Sequence, residues 1–296
     1  MKRLYSLLLI FFLMFQCMFA FSNDNVKNKE NDIRDYFVFL SIHLKLEKKS
    51  PEECIATKDC TLTSEVINST ASLNSTFVDN PMLVGSAFVI LQESNKTSIL
   101  TSNHVCKGIE SYLDFKRLFI NAKNEIFDSL KDSTKFINID FNGIKSNYNL
   151  SSAVTLFDFY GNKYEGVKII KQSTSKDLCI IETNNKIGKP VKISDSNCEY
   201  GEDVINISAS DGNYYPSAVP FHVGAYSGTV INKSFGLMGK EEEIALYTLD
   251  IEQGSSGSAV FSKTTKNLCG NINATMKKTN LTIGITTRGI KSFIER

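Results

Sequence analysis

Short segments of alternating apolar and polar residues make up most of this chain. Residues 35–47 and 85–104 are examples, rich in β-branched and aromatic side chains, whereas residues 177–183 contain a short apolar run that predicts a buried strand. Alternation with a period of two predicts strands that bury one face. Many short strands with turn residues between them predict antiparallel barrels or a sandwich. We therefore predict a mostly β protein.

Three other segments depart from the strand pattern. Residues 108–132 carry apolar side chains at helical spacing, among them Leu113 and Phe119, and predict a helix. The C-terminal residues 288–296 also predict a helix. The region 47–79 is rich in Ser, Thr and Asn and predicts a long loop. The chain should therefore combine many strands with two helical additions.

The start of the chain has the layout of an export signal. Lys2 and Arg3 precede an apolar stretch, and small residues stand at Ala20 and Ser22 before a polar segment. We predict a signal peptide over residues 1–22 and a secreted or periplasmic mature protein. The alternative is that the apolar stretch is kept as a membrane anchor, since it is almost long enough to span a bilayer.

Charge and composition narrow the functions that the chain can have. It has 296 residues and a net charge of +1, from 33 basic and 32 acidic side chains. We expect no nucleic-acid partner, because such binding needs a strongly basic surface. The cysteine spacings match no zinc site, and we predict neither a metal nor a cofactor.

Six cysteines follow the predicted signal peptide. An even number in an exported chain predicts disulfides, but the spacing does not select a pairing. Two of them, Cys54 and Cys60, are close enough in sequence to close a local loop. Cys179 lies inside an apolar strand, where a buried free thiol is the alternative. The six are Cys54, Cys60, Cys106, Cys179, Cys198 and Cys269.

Candidate chemistry appears in the segment DIEQGSSGSAVF, residues 250–261, where glycines flank Ser256 just before a predicted strand. By itself the motif predicts either a flexible turn or a loop that presents a nucleophile. His104 ends an apolar strand and Asp177 immediately precedes another, so a base and an orienting carboxylate are also available. The order His, Asp, Ser is the one that serine hydrolases of the two-barrel scaffold use.

Several segments resemble parts of trypsin-like peptidases. GSAFVI and ILTSNHVC resemble the strand pair that leads to the catalytic histidine, and TSKDLCIIE resembles the strand that delivers the aspartate. GSSGSAVF resembles the nucleophile loop. ISDSNCEYGEDVINIS resembles the start of the second barrel, and TIGITTRGIKSFIER resembles the closing strand and terminal helix. Within this family the chain is most similar to the HtrA/Deg and glutamyl-endopeptidase branches, without a PDZ domain.

The resemblance implies a fold of two six-stranded antiparallel β-barrels with a helical insertion and a C-terminal helix. The peptidase domain would cover residues 23–296. Its first barrel would take residues 35–185, interrupted by the insertion at about 106–150. Its second barrel and the helix would take residues 186–296.

The resemblance also implies a mechanism. Ser256 would be the nucleophile, His104 the general base and acid, and Asp177 the carboxylate that orients the imidazole. The backbone N–H groups of Gly254 and Ser256 would form the oxyanion hole. The substrate would be a protein or peptide, and the reaction would proceed through an acyl-enzyme.

Substrate specificity depends on less specific signals. Asp250 lies six residues before Ser256, where trypsin-like enzymes place an acid that selects Lys or Arg; a solvated strand end is the alternative. His222 could line the cleft, as a histidine does in acid-specific relatives, or lie in a solvated loop. Residues 273–275, which are Asn273, Ala274 and Thr275, should form an edge strand along which substrate pairs.

Two departures from the family pattern bear on regulation. Ser255 stands where digestive members carry an acidic residue that pairs with a newly cut N-terminus, so activation by N-terminal insertion is not expected. His104 and Asp177 lie 73 residues apart (177 − 104), farther than these families need. The excess falls in the insertion at about 106–150, which either covers the active-site mouth or decorates the surface.

Two further hypotheses compete with that of an active exported endopeptidase. One is a non-catalytic binding protein on the same fold, because a fold does not fix a function. Another is a membrane-tethered regulator, if the N-terminal segment is retained. The complete set of candidate catalytic residues favours the enzyme. The sequence predicts no oligomeric state.

Overall fold

The computed structural model describes residues 32–50, 83–111, 147–194, 198–232, 242–276, 279 and 281–295. Several predictions lie outside the described residues. They are the signal peptide, most of the loop at 47–79, the local pair of Cys54 and Cys60, and all but the first residues of the helix at 108–132. The chain separates into residues 1–33 and 34–296, and the second unit contains both sheets.

The first sheet is curled and antiparallel. Its strand order is β5-β4-β1-β2-β3-β7-β6. Its core consists of branched aliphatic side chains such as Leu40, Val89 and Ile181, which are fully buried and are contributed by neighbouring strands. The strands are β1 (Phe37–Lys48), β2 (Leu83–Glu93), β3 (Lys96–Ser102), β4 (Tyr148–Asp158), β5 (Lys163–Tyr164), β6 (Val167–Ser173) and β7 (Leu178–Thr183).

The second sheet repeats this architecture, with the order β12-β11-β8-β9-β10-β14-β13. A bridge between Gly270 and Thr286 joins its β12 edge to the residue after β14, which brings the two ends of the sheet together. Val204, Tyr247 and Val260 fill its interior. The strands are β8 (Asp203–Ile207), β9 (Phe221–Asn232), β10 (Glu242–Tyr247), β11 (Ala259–Ser262), β12 (Leu268–Asn271), β13 (Ala274–Met276) and β14 (Leu281–Ile285).

Two α-helices accompany the sheets in the described part of the chain. Helix α1 (Asn103–Ser111) follows β3 directly, and helix α2 (Thr287–Ile294) follows β14. Thr286 caps α2 by accepting a hydrogen bond from the Gly289 N–H, as a Thr at this position does for many helices. The α2 face that carries Ile290 and Phe293 is buried. The predicted C-terminal helix is confirmed.

The predicted mostly β fold with two barrel-like sheets is confirmed, but each sheet has seven strands where the resemblance implied six. The short edge strands β5, with two residues, and β13, with three, contribute to the higher number. Strand β9 also begins earlier than its apolar core GTVIN suggests, because its first residues pair with β8 and its last residues pair with β10.

In the described part of the chain, two disulfides join strands to neighbouring segments. Cys106 in α1 is bonded to Cys179 in β7, with Cα atoms 6.5 Å apart. Cys198 is bonded to Cys269 in β12, with Cα atoms 5.2 Å apart. The alternative of a free thiol at Cys179 was therefore wrong. An apolar setting suits a buried disulfide as well as a buried thiol, and the sequence of β7 does not distinguish them.

Candidate active site

Strand register brings His104 and Asp177 together. Strands β3 and β7 are antiparallel, and their last pair is Ser102 opposite Leu178. One residue further on, the Asn103 N–H donates to the Asp177 carbonyl oxygen over 3.1 Å. Because α1 begins at Asn103, its second residue, His104, lies beside the Asp177 side chain. Two residues that are distant in sequence thus become neighbours where two strands end.

Asp177 binds His104 at two points. The His104 backbone N–H donates to Asp177 Oδ1 over 2.8 Å, and His104 Nδ1 lies 2.8 Å from Asp177 Oδ2. The histidine side chain is 49% exposed and the aspartate side chain 20% exposed. A carboxylate on Nδ1 holds the proton on that nitrogen and leaves Nε2 able to accept another. The pair has the geometry of a base with its orienting acid.

The disulfide Cys106–Cys179 lies directly behind this pair. Cys106 follows His104 by two residues and Cys179 follows Asp177 by two, so the disulfide spans the same sequence separation, 73. Both sulfur-bearing residues are fully buried in the core of the first sheet. The covalent link therefore joins the elements that carry the base and the acid.

The second sheet also contacts Asp177, through Asn273. Its side-chain Nδ2 donates to the carbonyl oxygens of Lys176 and Asp177 over 3.2 and 3.1 Å. Its Oδ1 accepts from Asn271 Nδ2 over 2.6 Å. Asn273 was predicted as a substrate-binding residue, but the structure places its side chain against the backbone that carries the acid. It therefore joins the two sheets at the site.

The loop between β10 and β11 carries Ser256 between two glycines with positive φ. Gly254 has φ +96° and Gly257 has φ +89°. A Cβ on Gly254 would lie 2.3 Å from the Ala209 carbonyl oxygen, and one on Gly257 would lie 2.2 Å from Thr101 Oγ1. Both positions thus exclude other residues, by backbone angle and by space. The glycines allow the loop to pack closely against both sheets.

Two peptide planes in this loop are held by their carbonyl groups. The Gln253 carbonyl accepts from the Asp211 N–H over 2.6 Å. The Ser255 carbonyl accepts from both the N–H and the hydroxyl of Ser258, over 3.0 and 2.7 Å. In a trans peptide the N–H points opposite to the carbonyl. The N–H groups of Gly254 and Ser256 therefore point away from these partners, and neither donates to another described residue.

Ser86 of strand β2 connects the loop to the first sheet. Its backbone N–H donates to the Ser256 carbonyl over 3.0 Å, and its hydroxyl donates to the Gly254 carbonyl over 2.9 Å. Within the described residues no hydrogen bond joins the Ser256 hydroxyl to His104. Contacts between a nucleophile and its base are often long without substrate and shorten when the substrate binds.

A cavity of about 370 Å³ opens beside Ser256. Ala274 and Thr275, predicted as substrate-binding residues, line it. Asp250 and His222 do not, and Asp250 is exposed, so the structure gives no support to selection of Lys or Arg by Asp250. The lining residues are Asp211, Ile251, Glu252, Gln253, Ser255, Ser256, Ile272, Ala274 and Thr275.

His222 lies partly buried on β9, behind the segment that carries Asp250. Burial lowers its pKa, and a hydrogen bond to the Asp250 backbone together with the charge of Asp250 acts in the opposite direction. Its Nε2 is buried and has no hydrogen-bond partner among the described residues. A neutral imidazole fits this environment better than a charged one.

Sequence analysis missed the residues that support the nucleophile loop. Ser86, Ser208, Ser210 and Asp211 all contact residues 252–256 and lie far from them in sequence. One available signal was overlooked: Cys106 and Cys179 follow the candidate base and acid by the same number of residues. No comparable local signal marks the serines, because serine is common in turns.

The fold and the site together define a two-barrel β protein with a histidine–aspartate pair on one barrel and a glycine-framed serine on the other. The sequence profile of the family described as the trypsin-like peptidase domain matches residues 85–270. This chain belongs to that family. Family membership supports a hydrolase that acts on peptides. A search of curated protein sequences finds no match.

Solved structures share the fold at low sequence identity. The Rv3671c protease from M. tuberculosis, in its active form, is 12% identical with a TM-score of 0.51, over 88% of this chain and 80% of that one. The HtrA-type protease AlgW with a decapeptide is 15% identical with a TM-score of 0.50, over 88% of this chain and 64% of that one. At these identities the comparison shows that the fold is shared.

The described residues contain no group of three or more His, Cys, Asp or Glu side chains arranged to hold a metal ion. Among the same ranges, no helix has the length and apolar character required to cross a membrane.

Proposed function

We propose that this protein is an exported serine endopeptidase with the catalytic triad His104, Asp177 and Ser256. The observation that carries the proposal is the two-point contact between Asp177 and His104, together with a Ser256 loop in which two backbone N–H groups have no hydrogen-bond partner among the described residues. An acid-oriented imidazole, a serine and paired N–H donors are the groups that acyl transfer needs.

In the proposed reaction Ser256 Oγ attacks the carbonyl carbon of a peptide bond while His104 Nε2 takes the hydroxyl proton. The N–H groups of Gly254 and Ser256 bind the resulting oxyanion, and each such donor contributes about 3 kcal/mol to the transition state. His104 then gives its proton to the leaving amine as the C–N bond breaks. Water repeats the sequence on the acyl-enzyme and releases the carboxylic acid and free Ser256.

The substrate class follows from the edge of the second sheet. Strand β13 forms that edge, pairs with β14 on one side, and carries the exposed residues Ala274 and Thr275 beside the cavity. An extended peptide can add to such an edge by backbone hydrogen bonds. The AlgW structure with a decapeptide, which has the same fold, is consistent with a peptide ligand here.

Export is supported by the disulfides. Two disulfides join described residues, and such bonds persist mainly outside the reducing cytosol. The apolar start of the chain then acts either as a cleaved signal peptide or as a retained anchor. Mass determination of the N-terminus of exported material decides between them, since a start near residue 23 excludes the anchor.

The test is labelling of the purified, exported protein with a fluorophosphonate probe, which reacts only with an activated serine. Wild type should label and Ser256→Ala should not. The matched control is Ser262→Ala, which removes another hydroxyl of low exposure from the second sheet and should label like wild type. A folded wild-type protein that stays unlabelled would overturn the proposal and favour the non-catalytic binding protein.

A further inference from the structure

Three buried serine hydroxyls meet beneath the nucleophile loop. Ser255 Oγ lies 2.9 Å from Ser208 Oγ and 2.9 Å from Ser210 Oγ. Ser208 follows β8, Ser210 begins a short 3-10 turn, and Ser255 immediately precedes the candidate nucleophile. All three are among the buried polar residues. A serine hydroxyl donates one hydrogen bond and accepts two, so Ser255 can serve both neighbours at once.

Residues 208–211, which we call the supporting segment, also contact the rest of the Ser256 loop. Ser210 Oγ accepts a hydrogen bond from the Glu252 N–H over 2.8 Å. The Asp211 N–H binds the Gln253 carbonyl over 2.6 Å, which directs the Gly254 N–H away from that partner. The contacts thus reach several of the residues directly before Ser256. A shift of Ser208 or Ser210 would be transmitted to the N–H groups of the proposed oxyanion hole.

The supporting segment is itself attached to the first sheet. The Ala209 N–H donates to Ser86 Oγ over 3.0 Å, and the same hydroxyl donates to the Gly254 carbonyl over 2.9 Å. Ser86 is fully buried. Its hydroxyl oxygen therefore joins residues 208–211 to the Ser256 loop, and the hydroxyl cluster is part of a hydrogen-bond network that reaches both sheets.

The side-chain partners of the Ser255 hydroxyl are neutral. Where the resemblance places an acid that pairs with a newly cut N-terminus, Ser255 makes hydrogen bonds to two hydroxyls. A buried ammonium group needs a charged or strongly polar partner, and the side chain at this position is a hydroxyl that already binds two other hydroxyls, not a carboxylate. The loop is thus supported from within the chain.

We propose that Ser208, Ser210 and Ser255 are positioning residues that hold the oxyanion loop in its working geometry, so that the peptidase is competent without activation by N-terminal cleavage. The inference rests on the proposed function. It extends that function by assigning to an internal hydroxyl cluster the role that a new N-terminus plays in digestive relatives.

The first test compares Ser255→Ala with Ser262→Ala in the full exported protein. Ser262 is also buried, and its hydroxyl accepts one backbone N–H from Thr265, so Ser262→Ala removes a buried, hydrogen-bonded hydroxyl that lies outside the loop. The probe is a fluorophosphonate at several concentrations, which separates the maximal labelling rate from the apparent affinity. Ser255→Ala should lower the maximal rate about tenfold or more, because the loss of a single oxyanion donor costs about 100-fold.

Readouts of affinity and stability separate positioning from folding. The apparent affinity for the probe should stay unchanged in Ser255→Ala, and its thermal midpoint should move no more than that of Ser262→Ala. Ser210→Ala should repeat the kinetic defect, whereas Ser210→Thr, which keeps the hydroxyl, should label like wild type. The double variant Ser210→Ala with Ser255→Ala should lose less than the product of the two single effects, because both act on one network.

A second arm inserts an extension directly after residue 22, so that the exported protein still carries it when the predicted signal peptide is removed. Labelling at the wild-type rate is the expected result, and loss of labelling would show that a free N-terminus is needed and overturn the inference. Equal rates for Ser255→Ala and Ser262→Ala would overturn it too, while leaving the proposed function intact. A wild type that behaves like Ser256→Ala would instead remove the proposed function, and the inference with it.

Discussion

The first sheet holds its candidate catalytic residues with a covalent bond, whereas the second holds its own with glycines and buried hydroxyls. His104 and Asp177 are fixed by backbone hydrogen bonds and by the disulfide Cys106–Cys179 behind them. Ser256 lies in a loop whose shape depends on Gly254 and on Ser255 and its partners. The His104–Asp177 pair is thus fixed at strand ends, and Ser256 is held by a network of side chains.

This difference implies that substitutions near the His104–Asp177 pair and substitutions near the Ser256 loop should affect the protein in different ways. A disulfide acts largely by restricting the unfolded chain, so its loss affects the stability of the whole fold. A loop held by hydrogen bonds can lose its working geometry while the sheets remain intact. Substitutions of the pair should therefore change protonation, loss of the disulfide behind it should lower stability, and substitutions around the loop should change transition-state binding.

Among variants that keep Ser256, the largest effect is expected from Asp177→Asn, which alters the acid–base half alone. The amide would present a donor to Nδ1 of His104 and favour the tautomer whose Nε2 already carries a proton. Labelling by a fluorophosphonate should fall by roughly 10⁴-fold, with little change in the thermal midpoint. Asp203→Asn is the control, because Asp203 is an exposed carboxylate paired with Lys263. Retention of activity within about tenfold would remove the pair from the mechanism.

Gly254→Ala tests the nucleophile half. The new Cβ would meet the Ala209 carbonyl oxygen at 2.3 Å, so the peptide that carries the N–H of residue 254 must move. We expect a loss of about 100- to 1,000-fold in labelling rate, as for removal of an oxyanion donor. The control is Gly201→Ala, which has φ +80° and nothing within 4 Å of its Cβ. Equal labelling by both variants would contradict the role of Gly254.

The two disulfides close chain segments of almost equal length, so removing one or the other compares the two sheets at a similar cost in chain entropy. Replacing both Cys106 and Cys179 by Ala opens a separation of 73 residues, and replacing both Cys198 and Cys269 opens one of 71. Each change should cost about 4 kcal/mol of unfolding free energy. Only the first should also slow labelling of folded protein, by up to about 100-fold, since misplacement of catalytic groups has effects of that size.

Denaturant unfolding and labelling at low temperature measure the two effects separately. If both pairs of substitutions slow labelling equally, the disulfide behind His104 has no special part in positioning. If neither lowers stability, the loop-closure argument fails for this chain.

The smallest expected effect is on the pH dependence of stability, through His222 in the second sheet. Burial lowers the pKa of His222 below its ordinary value of 6.5. As pH falls through about 6.5, the unfolded chain takes up a proton at this residue before the folded protein does, so stability is lost. Between pH 7 and 5 the thermal midpoint of His222→Gln should fall by a few °C less than that of wild type. His43→Gln, in the first sheet, is the control, and equal pH slopes for wild type and His222→Gln would refute this prediction.

Much of the fold could be predicted because it depends on local pattern. Alternating side chains predicted the strands, and the Gly-Ser segment around Ser256 predicted the loop between β10 and β11. The spacing of Asp250 before Ser256 was less informative. Spacing along a loop does not determine which way a side chain faces, and Asp250 is exposed outside the cavity.

The sequence by itself determined the β periodicity and indicated His104, Asp177 and Ser256 as candidate catalytic residues, because strand alternation and short motifs are local properties. Only the tertiary structure decided that Cys106 pairs with Cys179 and that Ser208 and Ser210 lie beneath Ser255. Those contacts depend on the register of strands that are distant in the chain: Ser86 and Gly254, for example, are 168 residues apart. Register is set by the packing of whole faces, which no short segment encodes.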